Sequence, residues 1–241
     1  MAAFDPTEPA IAYRLLRDLD LYSSEGCDSL TTQAAAGQTL VLLEAGAAAG
    51  PWRVRLQADD YPGWLAPRDG DALVTCEGSD RLPLLDRAAI ADRLPEVLAF
   101  VEAALVTPNR YRWGGRLAPN YDCSGLMQAA FAAAGIQLPR DAWQQHAFCE
   151  PLPCTLTDWS LLQTGDLLFF GSTERITHVG LYRGNGFYLH SSGQSRGRDG
   201  IGLDRLDAAF HPVSAGYARE FRGAGRVHRS YQPGVDGPIG R

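Results

Sequence analysis

Three residues in the second half of the sequence have the side chains that nucleophilic catalysis requires. They are Cys123 in Tyr-Asp-Cys-Ser-Gly, His178 in Thr-His-Val-Gly and His190 in Tyr-Leu-His-Ser-Ser-Gly. A thiol attacks a carbonyl carbon when an imidazole takes its proton and a third polar group orients that imidazole. The three residues therefore indicate a hydrolase that forms a covalent intermediate on Cys123.

The composition narrows the chemistry and the partners. All 22 basic residues are Arg, since the 241-residue sequence contains no Lys. This excludes Schiff-base lysines, P-loop lysines and serine–lysine dyads, and leaves covalent catalysis to Cys, Ser or Thr. The net charge is -6 and no basic tract is present, so nucleic acid is excluded as a partner.

The thiol of Cys123 precedes an Ala-rich stretch, residues 124–134, that is predicted to be a helix ending at Gly135. A position in the first helical turn, beside an imidazolium, lowers the pKa of a thiol from about 8.5. We therefore expect Cys123 to be an activated thiol. The alternative is a buried structural cysteine.

The two histidines lie in predicted strands, residues 178–182 and 186–190, joined by a turn at 183–186. They face the same side of a sheet if the hairpin loop has an odd number of residues or if a bulge corrects the register. One histidine then takes the thiol proton while the other orients it. Taken singly, each histidine is also explained by a structural role.

The remaining pattern indicates strands followed by a mixed α+β region. Before residue 75, short strands separated by turns favour a small β-barrel. A helix with apolar residues at helical spacing is predicted over 90–105, with Pro95 starting or kinking it and Pro108 ending it. The other predicted strands are 39–43, 52–56, 64–65, 72–74 and 166–170. His146, His211 and His228 have no catalytic partner and are interpreted as structural or exposed.

Export and metal signals are absent from the sequence. The first residues carry neither a basic region nor an apolar run, and no stretch approaches the ~20 apolar residues that span a bilayer. We expect a cytoplasmic protein without a membrane segment.

Five cysteines, an odd number, favour reduced thiols over a disulfide framework. Cys149 and Cys154 lack a neighbouring Cys/His cluster, so no metal site is expected.

Six blocks in order resemble the motif set of the NlpC-type cysteine peptidases, papain-like enzymes that cut bacterial cell-wall peptides. The blocks are Tyr111-Arg-Trp-Gly-Gly115, Tyr121-Asp-Cys-Ser-Gly125, Leu138-Pro-Arg-Asp141 with Gln144-Gln145, Gly165-Asp-Leu-Leu-Phe-Phe170, Thr177-His-Val-Gly180 and His190-Ser-Ser-Gly193. They span about residues 108–228, half of the chain.

The segment Asp59-Asp-Tyr-Pro-Gly-Trp64 lies in the predicted barrel, which resembles the bacterial SH3-like domain of two-domain members of this family. The implied architecture is an SH3-like β-barrel over 1–80, a linker and connecting helix over 81–107, and a papain-like α+β catalytic domain with an antiparallel sheet over 108–241.

The resemblance implies a γ-D-glutamyl-diamino acid endopeptidase acting on murein peptides without a metal or organic cofactor. Cys123 would be the nucleophile, His178 the general base and acid, and His190 the third polar residue. Tyr111 would hold the oxyanion together with the backbone N–H of Cys123, a contact worth about 3 kcal/mol.

The resemblance also implies substrate contacts. A free N-terminal L-Ala would be held by Tyr61, Asp122 and Ser124; the alternatives are a barrel-core aromatic, an N-cap and a first-turn hydroxyl, respectively. Arg140 would pair with the D-Glu carboxylate, or would form a structural ion pair. Ala142 stands where many members have Ser or Thr, so no hydroxyl contact is expected there.

Two other functions fit the same residues. An amidase or acyltransferase would use the same thiol triad on a different bond, and a wall-binding module would use the barrel without catalysis. All three catalytic positions are intact, which a pure binding module does not need. The sequence leaves the oligomeric state open, as well as the choice between diaminopimelate and Lys.

Overall fold

The computed structural model describes residues 4–7, 11–77 and 82–236. The described residues form two compact units. The first lies within Met1–Leu82, Trp113–Leu117 and Gln232–Arg241, and the second within Pro83–Arg112 and Ala118–Tyr231. The predicted domain boundaries differ from this division, because residues 113–117 and the described part of 232–241 pack with the first unit.

The first unit is a seven-stranded antiparallel sheet in the order β3-β2-β6-β5-β4-β1-β7. In β5, Trp52, Val54 and Leu56 are buried while the two arginines between them face outward, as alternation predicts. The strands are β1 (Ala12–Leu15), β2 (Leu19–Tyr22), β3 (Leu30–Ala34), β4 (Thr39–Leu42), β5 (Trp52–Leu56), β6 (Pro62–Leu65) and β7 (Leu73–Thr75).

The second unit combines five helices with a six-stranded antiparallel sheet in the order β12-β11-β10-β9-β13-β8. The predicted α+β class is confirmed. The helices are α1 (Arg87–Ala91), α2 (Leu94–Val106), α3 (Cys123–Ala133), α4 (Ala142–Phe148) and α5 (Pro212–Arg219). The strands are β8 (Glu150–Leu152), β9 (Leu167–Gly171), β10 (Ile176–Gly184), β11 (Phe187–Ser192), β12 (Gly200–Arg205) and β13 (Phe221–Arg226).

Helix α3 brings Cys123 to the sheet. It begins because the Asp122 carboxylate accepts a hydrogen bond from the backbone N–H of Gly125 at 2.7 Å, and it is followed by Gly135 at φ +73°. Its buried face, which includes Leu126 and Phe131, packs on β10 and β11. The first turn of α3 therefore lies against the strands that carry the histidines.

A β-bulge puts both histidines on one face. In the hairpin of β10 and β11, Gly184 pairs with Phe187, but the register shifts by one residue before Tyr182 pairs with Tyr188. A one-residue shift moves every following side chain to the other face of a strand. The bulge is therefore the correction that the sequence required for His178 and His190 to meet.

Candidate active site

The sulfur of Cys123 lies close to strand β10. Its thiol lies 4.0 Å from the carbonyl oxygen of Thr177, the residue before His178 in β10. Cys123 is the first residue of α3 and is 7% exposed. The sulfur of Cys123 thus lies against the backbone of β10 beside the position of His178.

The two histidines are hydrogen-bonded through one nitrogen each. Nε2 of His178 lies 2.7 Å from Nδ1 of His190, and Nε2 of His190 lies 2.8 Å from Oδ2 of Asp204. Among the described residues, Nδ1 of His178 has no hydrogen-bond partner, so this nitrogen is available to a proton donor. His178, His190 and Asp204 form a continuous hydrogen-bonded row across β10, β11 and β12, and the sulfur of Cys123 lies against the backbone next to His178.

Asp204 is a member of this row that the sequence did not reveal. Its side chain is fully buried; Oδ1 accepts from the hydroxyl of Ser214 at 2.8 Å, and Oδ2 accepts from Arg198 at 2.6 Å as well as from His190. Burial alone would raise the pKa of Asp204, but the hydrogen bonds of His190 and Ser214 and the charge of Arg198 lower it. Asp204 is therefore a buried carboxylate.

The protonation states of the site differ from those expected of an activated thiolate. Burial raises the pKa of Cys123 to about 12, with a further contribution from the charge of Asp122, although the N–H groups of Val179 and Ser124 oppose it. The predicted lowering of this pKa is wrong, because the loss of water around the sulfur outweighs the helix start. Burial also lowers the pKa of His178 well below its ordinary value. Both groups are neutral at pH 7.

Tyr217 of α5 forms one wall of the site, which the sequence also did not reveal. Its ring stacks on that of His178 with centroids 4.3 Å apart and an interplanar angle of 24°. Its hydroxyl lies 2.7 Å from the hydroxyl of Ser192, and the guanidinium of Arg196 lies 5.4 Å from its ring centroid. Tyr217 therefore limits the rotation of the His178 ring and keeps water from one of its faces.

Tyr111 lies near the thiol and stays protonated. Its ring packs near Gly193, and its backbone N–H donates to Asp199 at 3.2 Å. Burial, followed by the charges of Cys123 and Asp122, raises the pKa of its phenol. A protonated phenol at this place is a hydrogen-bond donor, as an oxyanion contact requires.

Asp122, Ser124 and Arg140 form a buried cluster at the start of α3. Two guanidinium nitrogens of Arg140 donate to the two oxygens of Asp122 at 3.1 and 2.6 Å, and one also donates to the Ser124 hydroxyl at 3.0 Å. Arg140 is 1% exposed. The structure shows the ion pair with Asp122 that the sequence left as the alternative, and a contact of Arg140 with a substrate carboxylate stays a prediction.

Tyr61 belongs to the first unit, in the turn before β6. Its hydroxyl lies 3.3 Å from that of Thr31, and its side chain is half-buried rather than part of the apolar core of that unit. Its contact with substrate stays a prediction. In the second unit, Ala142 is the buried first residue of α4 and has no hydroxyl to offer.

Within the ranges that the structure describes, no group of three or more His, Cys, Asp or Glu side chains is arranged to hold a metal ion. The same residues include no helix with the length and apolar character that crossing a membrane requires.

Two parts of the chain match known families. Residues 108–211 match the NlpC/P60 family, and residues 21–69 match the bacterial dipeptidyl-peptidase Sh3 domain. The chain carries an NlpC/P60 domain. This match confirms the cell-wall cysteine peptidase family that the six sequence blocks indicate, and the second match confirms an SH3-like domain before it.

Two relatives come from Bacillus subtilis strain 168. The bifunctional muramidase/DL-endopeptidase CwlT is 44% identical over 86 residues, which is 34% of this chain and 25% of that protein. A gamma-D-glutamyl-L-lysine dipeptidyl-peptidase is 40% identical over 116 residues, 47% of this chain and 36% of that protein. The chain thus spans about a quarter to a third of the length of these relatives.

A crystal structure of an NlpC/P60 family protein from Bacillus cereus aligns with 91% of this chain and 63% of its own, at 24% identity and a TM-score of 0.48.

Proposed function

We propose that this protein is a cysteine endopeptidase that hydrolyses the γ-D-glutamyl–diamino acid bond of cell-wall peptides with a free N-terminal L-Ala. The relative named as a gamma-D-glutamyl-L-lysine dipeptidyl-peptidase and the dipeptidyl-peptidase type of the Sh3 match support this bond. The observation that carries the proposal is the hydrogen-bonded pair of His178 and His190, with the sulfur of Cys123 against the backbone beside His178.

The first step moves a proton. Because the thiol and the imidazole are both neutral, the Cys123 proton passes to Nδ1 of His178 as the sulfur attacks the γ-carbonyl carbon of D-Glu. The resulting imidazolium is stabilised by its hydrogen bond to His190. The π face of Tyr217, stacked on the ring, favours the same charged form.

The negative oxygen of the tetrahedral intermediate needs donors. The N–H of Cys123 is among the first N–H groups of α3, which have no partner inside the helix, and the phenol of Tyr111 is protonated. Collapse of the intermediate expels the amine of the diamino acid, which takes the proton from His178. Water, activated by the same histidine, then hydrolyses the thioester and releases L-Ala-γ-D-Glu.

The substrate ammonium would approach the oxygens of Asp122 and the hydroxyl of Ser124. Oδ1 of Asp122 already accepts from Arg140, from the backbone N–H of Gly125 and from the Ser124 hydroxyl, whereas Oδ2 accepts only from Arg140 among the described residues and keeps room for the ammonium. The ion pair fixes the orientation of the Asp122 carboxylate before the substrate binds. Arg140 would therefore assist binding by orienting Asp122.

Product masses test the proposal. Wild type should release diaminopimelate from L-Ala-γ-D-Glu-diaminopimelate and leave the muramyl-capped peptide intact, and Cys123→Ala should cleave neither. Cys149→Ala removes another buried free thiol of the second unit and should retain activity. Cleavage between sugar and peptide would favour an amidase. Equal binding by wild type and Cys123→Ala, with no turnover by either, would favour a binding module.

A cytoplasmic location and a role in recycling murein peptides belong to the same proposal and derive from the sequence alone. Fractionation of the native host tests them; recovery of the protein mainly outside the cytoplasm would contradict both.

A further inference from the structure

We propose that Asp204 is a positioning residue that fixes which nitrogen of each histidine carries the proton. It thereby leaves the lone pair of His178 on Nδ1, the nitrogen that would take the proton of Cys123. This inference rests on the thiol site described under the proposed function, but it concerns the arrangement of protons before any substrate binds. Asp204 touches neither the thiol nor the expected position of the substrate, and it acts through His190.

The sheet register places the three side chains in steps. Asp204 pairs with Tyr188 across β12 and β11, and His190 pairs with Gly202, so Asp204 and His190 share one face two residues apart. Gly180 of β10 lies beside His190, and His178 precedes Gly180 by two residues on the same strand. His190 is thus the diagonal neighbour of Asp204 on the adjacent strand, and His178 is the diagonal neighbour of His190. Long side chains can bridge such diagonal positions.

The chemistry of a carboxylate allows one proton arrangement. An ionised carboxylate only accepts hydrogen bonds, so the 2.8 Å contact requires a proton on Nε2 of His190. A neutral imidazole then has a lone pair at Nδ1, which must accept from Nε2 of His178 across 2.7 Å. The lone pair of His178 is thereby left at Nδ1, the nitrogen able to take the thiol proton.

Without a carboxylate at this position the opposite arrangement becomes available. His190 could donate from Nδ1 to Nε2 of His178, and the proton of a neutral His178 would then sit on Nδ1. That form cannot accept the thiol proton. The proposed effect of Asp204 is therefore on proton transfer and not on substrate binding.

The surroundings of Asp204 keep it charged without charging His190. Arg198 balances the carboxylate, and the hydroxyl of Ser214 holds its other oxygen. A Cβ atom at position 202 would collide with the Arg198 guanidinium, so glycine in β12 leaves the space through which Arg198 reaches Asp204. His190, facing Asp204, Arg198 and His178, is held neutral mainly by its burial.

The test that needs no variant is ¹⁵N NMR of the imidazoles in the full-length wild-type protein at pH 7. Both His178 and His190 should carry their proton on Nε2 and none on Nδ1. A proton on Nδ1 of His190 would overturn the proposal. This readout needs no substrate, so it stands even if the peptide is not cleaved and the proposed function fails.

Asp204→Asn and a matched control separate positioning from folding. Asp204→Asn should lower kcat by about 10²-fold or more, with KM within about two-fold, and should shift the His190 tautomer. The control is Asp166→Asn, since Asp166 is also buried and pairs with Arg226 at 2.8 Å through both oxygens. It should lower the melting temperature while leaving kcat and the imidazole signals unchanged. A wild-type kcat and tautomer in Asp204→Asn, or equal kcat losses in both variants, would contradict the proposal.

Discussion

Two strands of the same sheet, β9 and β11, are both buried, but the side chains of β9 are apolar whereas those at the end of β11 are polar. β9 contains four buried apolar side chains, Leu167 to Phe170. β11 buries His190, Ser191 and Ser192 with no exposed surface. Burying a polar group without a hydrogen bond costs a few kcal/mol, whereas burying an apolar one is favourable. β9 therefore stabilises the fold through burial itself, whereas the polar side chains of β11 depend on hydrogen-bond partners.

His190, Ser191 and Ser192 of β11 each have a hydrogen-bond partner from another element, whereas the buried hydroxyl of Tyr188 in the same strand has none among the described residues. Ser191 donates to the carbonyl oxygen of Tyr121 at 2.6 Å, and Ser192 bonds to Tyr217 at 2.7 Å. His190 bridges β10 and β12. β9 can accept any apolar side chain of similar volume, but β11 requires specific partners, so we expect β9 to determine stability and β11 to determine catalytic geometry.

One substitution in β11 and one in β9 give the largest expected difference in kcat between the two strands. His190→Ala leaves Nε2 of His178 without its partner and removes one of the hydrogen bonds to Asp204 in a buried site, so kcat should fall about 10³-fold and the free energy of unfolding by about 3–5 kcal/mol. Phe169→Leu in β9 should cost about 1 kcal/mol of stability and leave kcat within two-fold. Steady-state kinetics and urea denaturation measure both; similar kcat losses would contradict the contrast.

A smaller effect is expected at Gly180, which gives room to His190. A Cβ atom there would lie 2.9 Å from Tyr188 Cδ2 and 3.2 Å from the Cβ of His190, so Gly180→Ala should displace His190 and lower kcat about 10-fold. Gly216→Ala is the control, because a Cβ at this site in α5 meets no atom within 4 Å. It should raise stability by about 0.5–1 kcal/mol without changing kcat. An unchanged kcat in Gly180→Ala would show that His190 tolerates displacement.

Two substitutions of Tyr217 distinguish the effect of its hydrogen bond to Ser192 from the effect of its stacking on His178. Tyr217→Phe removes the hydroxyl bonded to Ser192 but keeps the ring on His178, so stability should fall by about 1 kcal/mol and kcat should change less than about three-fold. Tyr217→Leu also removes the flat face and should lower kcat further. Equal kcat values in the two variants would exclude a role for the stacked ring.

The effect with the smallest expected consequence for kcat is the dependence of stability on pH. Burial holds the pKa values of His178 and His190 below their ordinary value of about 6.5. Above about pH 6.5 both histidines are therefore neutral in the folded and in the unfolded chain, and the free energy of unfolding is at its maximum with respect to these groups. As pH falls from 7 to 5, the unfolded chain binds protons that the folded chain does not, and stability falls by at most about 1.4 kcal/mol per pH unit for each histidine. His178→Gln should have a shallower slope; an unchanged slope would mean that His178 is not the group responsible.

The sequence predicted the elements whose signals are local. Alternation gave β5 with its bounds, the Ala-rich run gave α3 within one residue, and the turn before β11 was recognised from Asn185 and Gly186, both at positive φ. The two histidines were found because each stands beside recognisable motif residues. Their meeting could be stated only as a condition, since a bulge is not visible in the sequence.

The partners of the histidines required the folded sheet. Asp204 lies in Gly-Ile-Gly-Leu-Asp-Arg, which has little apolar alternation, and only the pairing of β11 with β12 brings it to His190. Tyr217 lies in a helix whose packing is set by long-range contacts. The raised pKa of Cys123 was missed for a similar reason, because burial is a property of the whole unit.

The central claim is that Cys123 carries the acyl group of the substrate, and intact mass spectrometry after acid quenching tests it directly. During turnover of L-Ala-γ-D-Glu-diaminopimelate, wild type should gain the mass of one L-Ala-γ-D-Glu acyl group, mapped to the peptide that contains Cys123. Product formation without this adduct, together with undiminished activity in Cys123→Ala, would contradict the account.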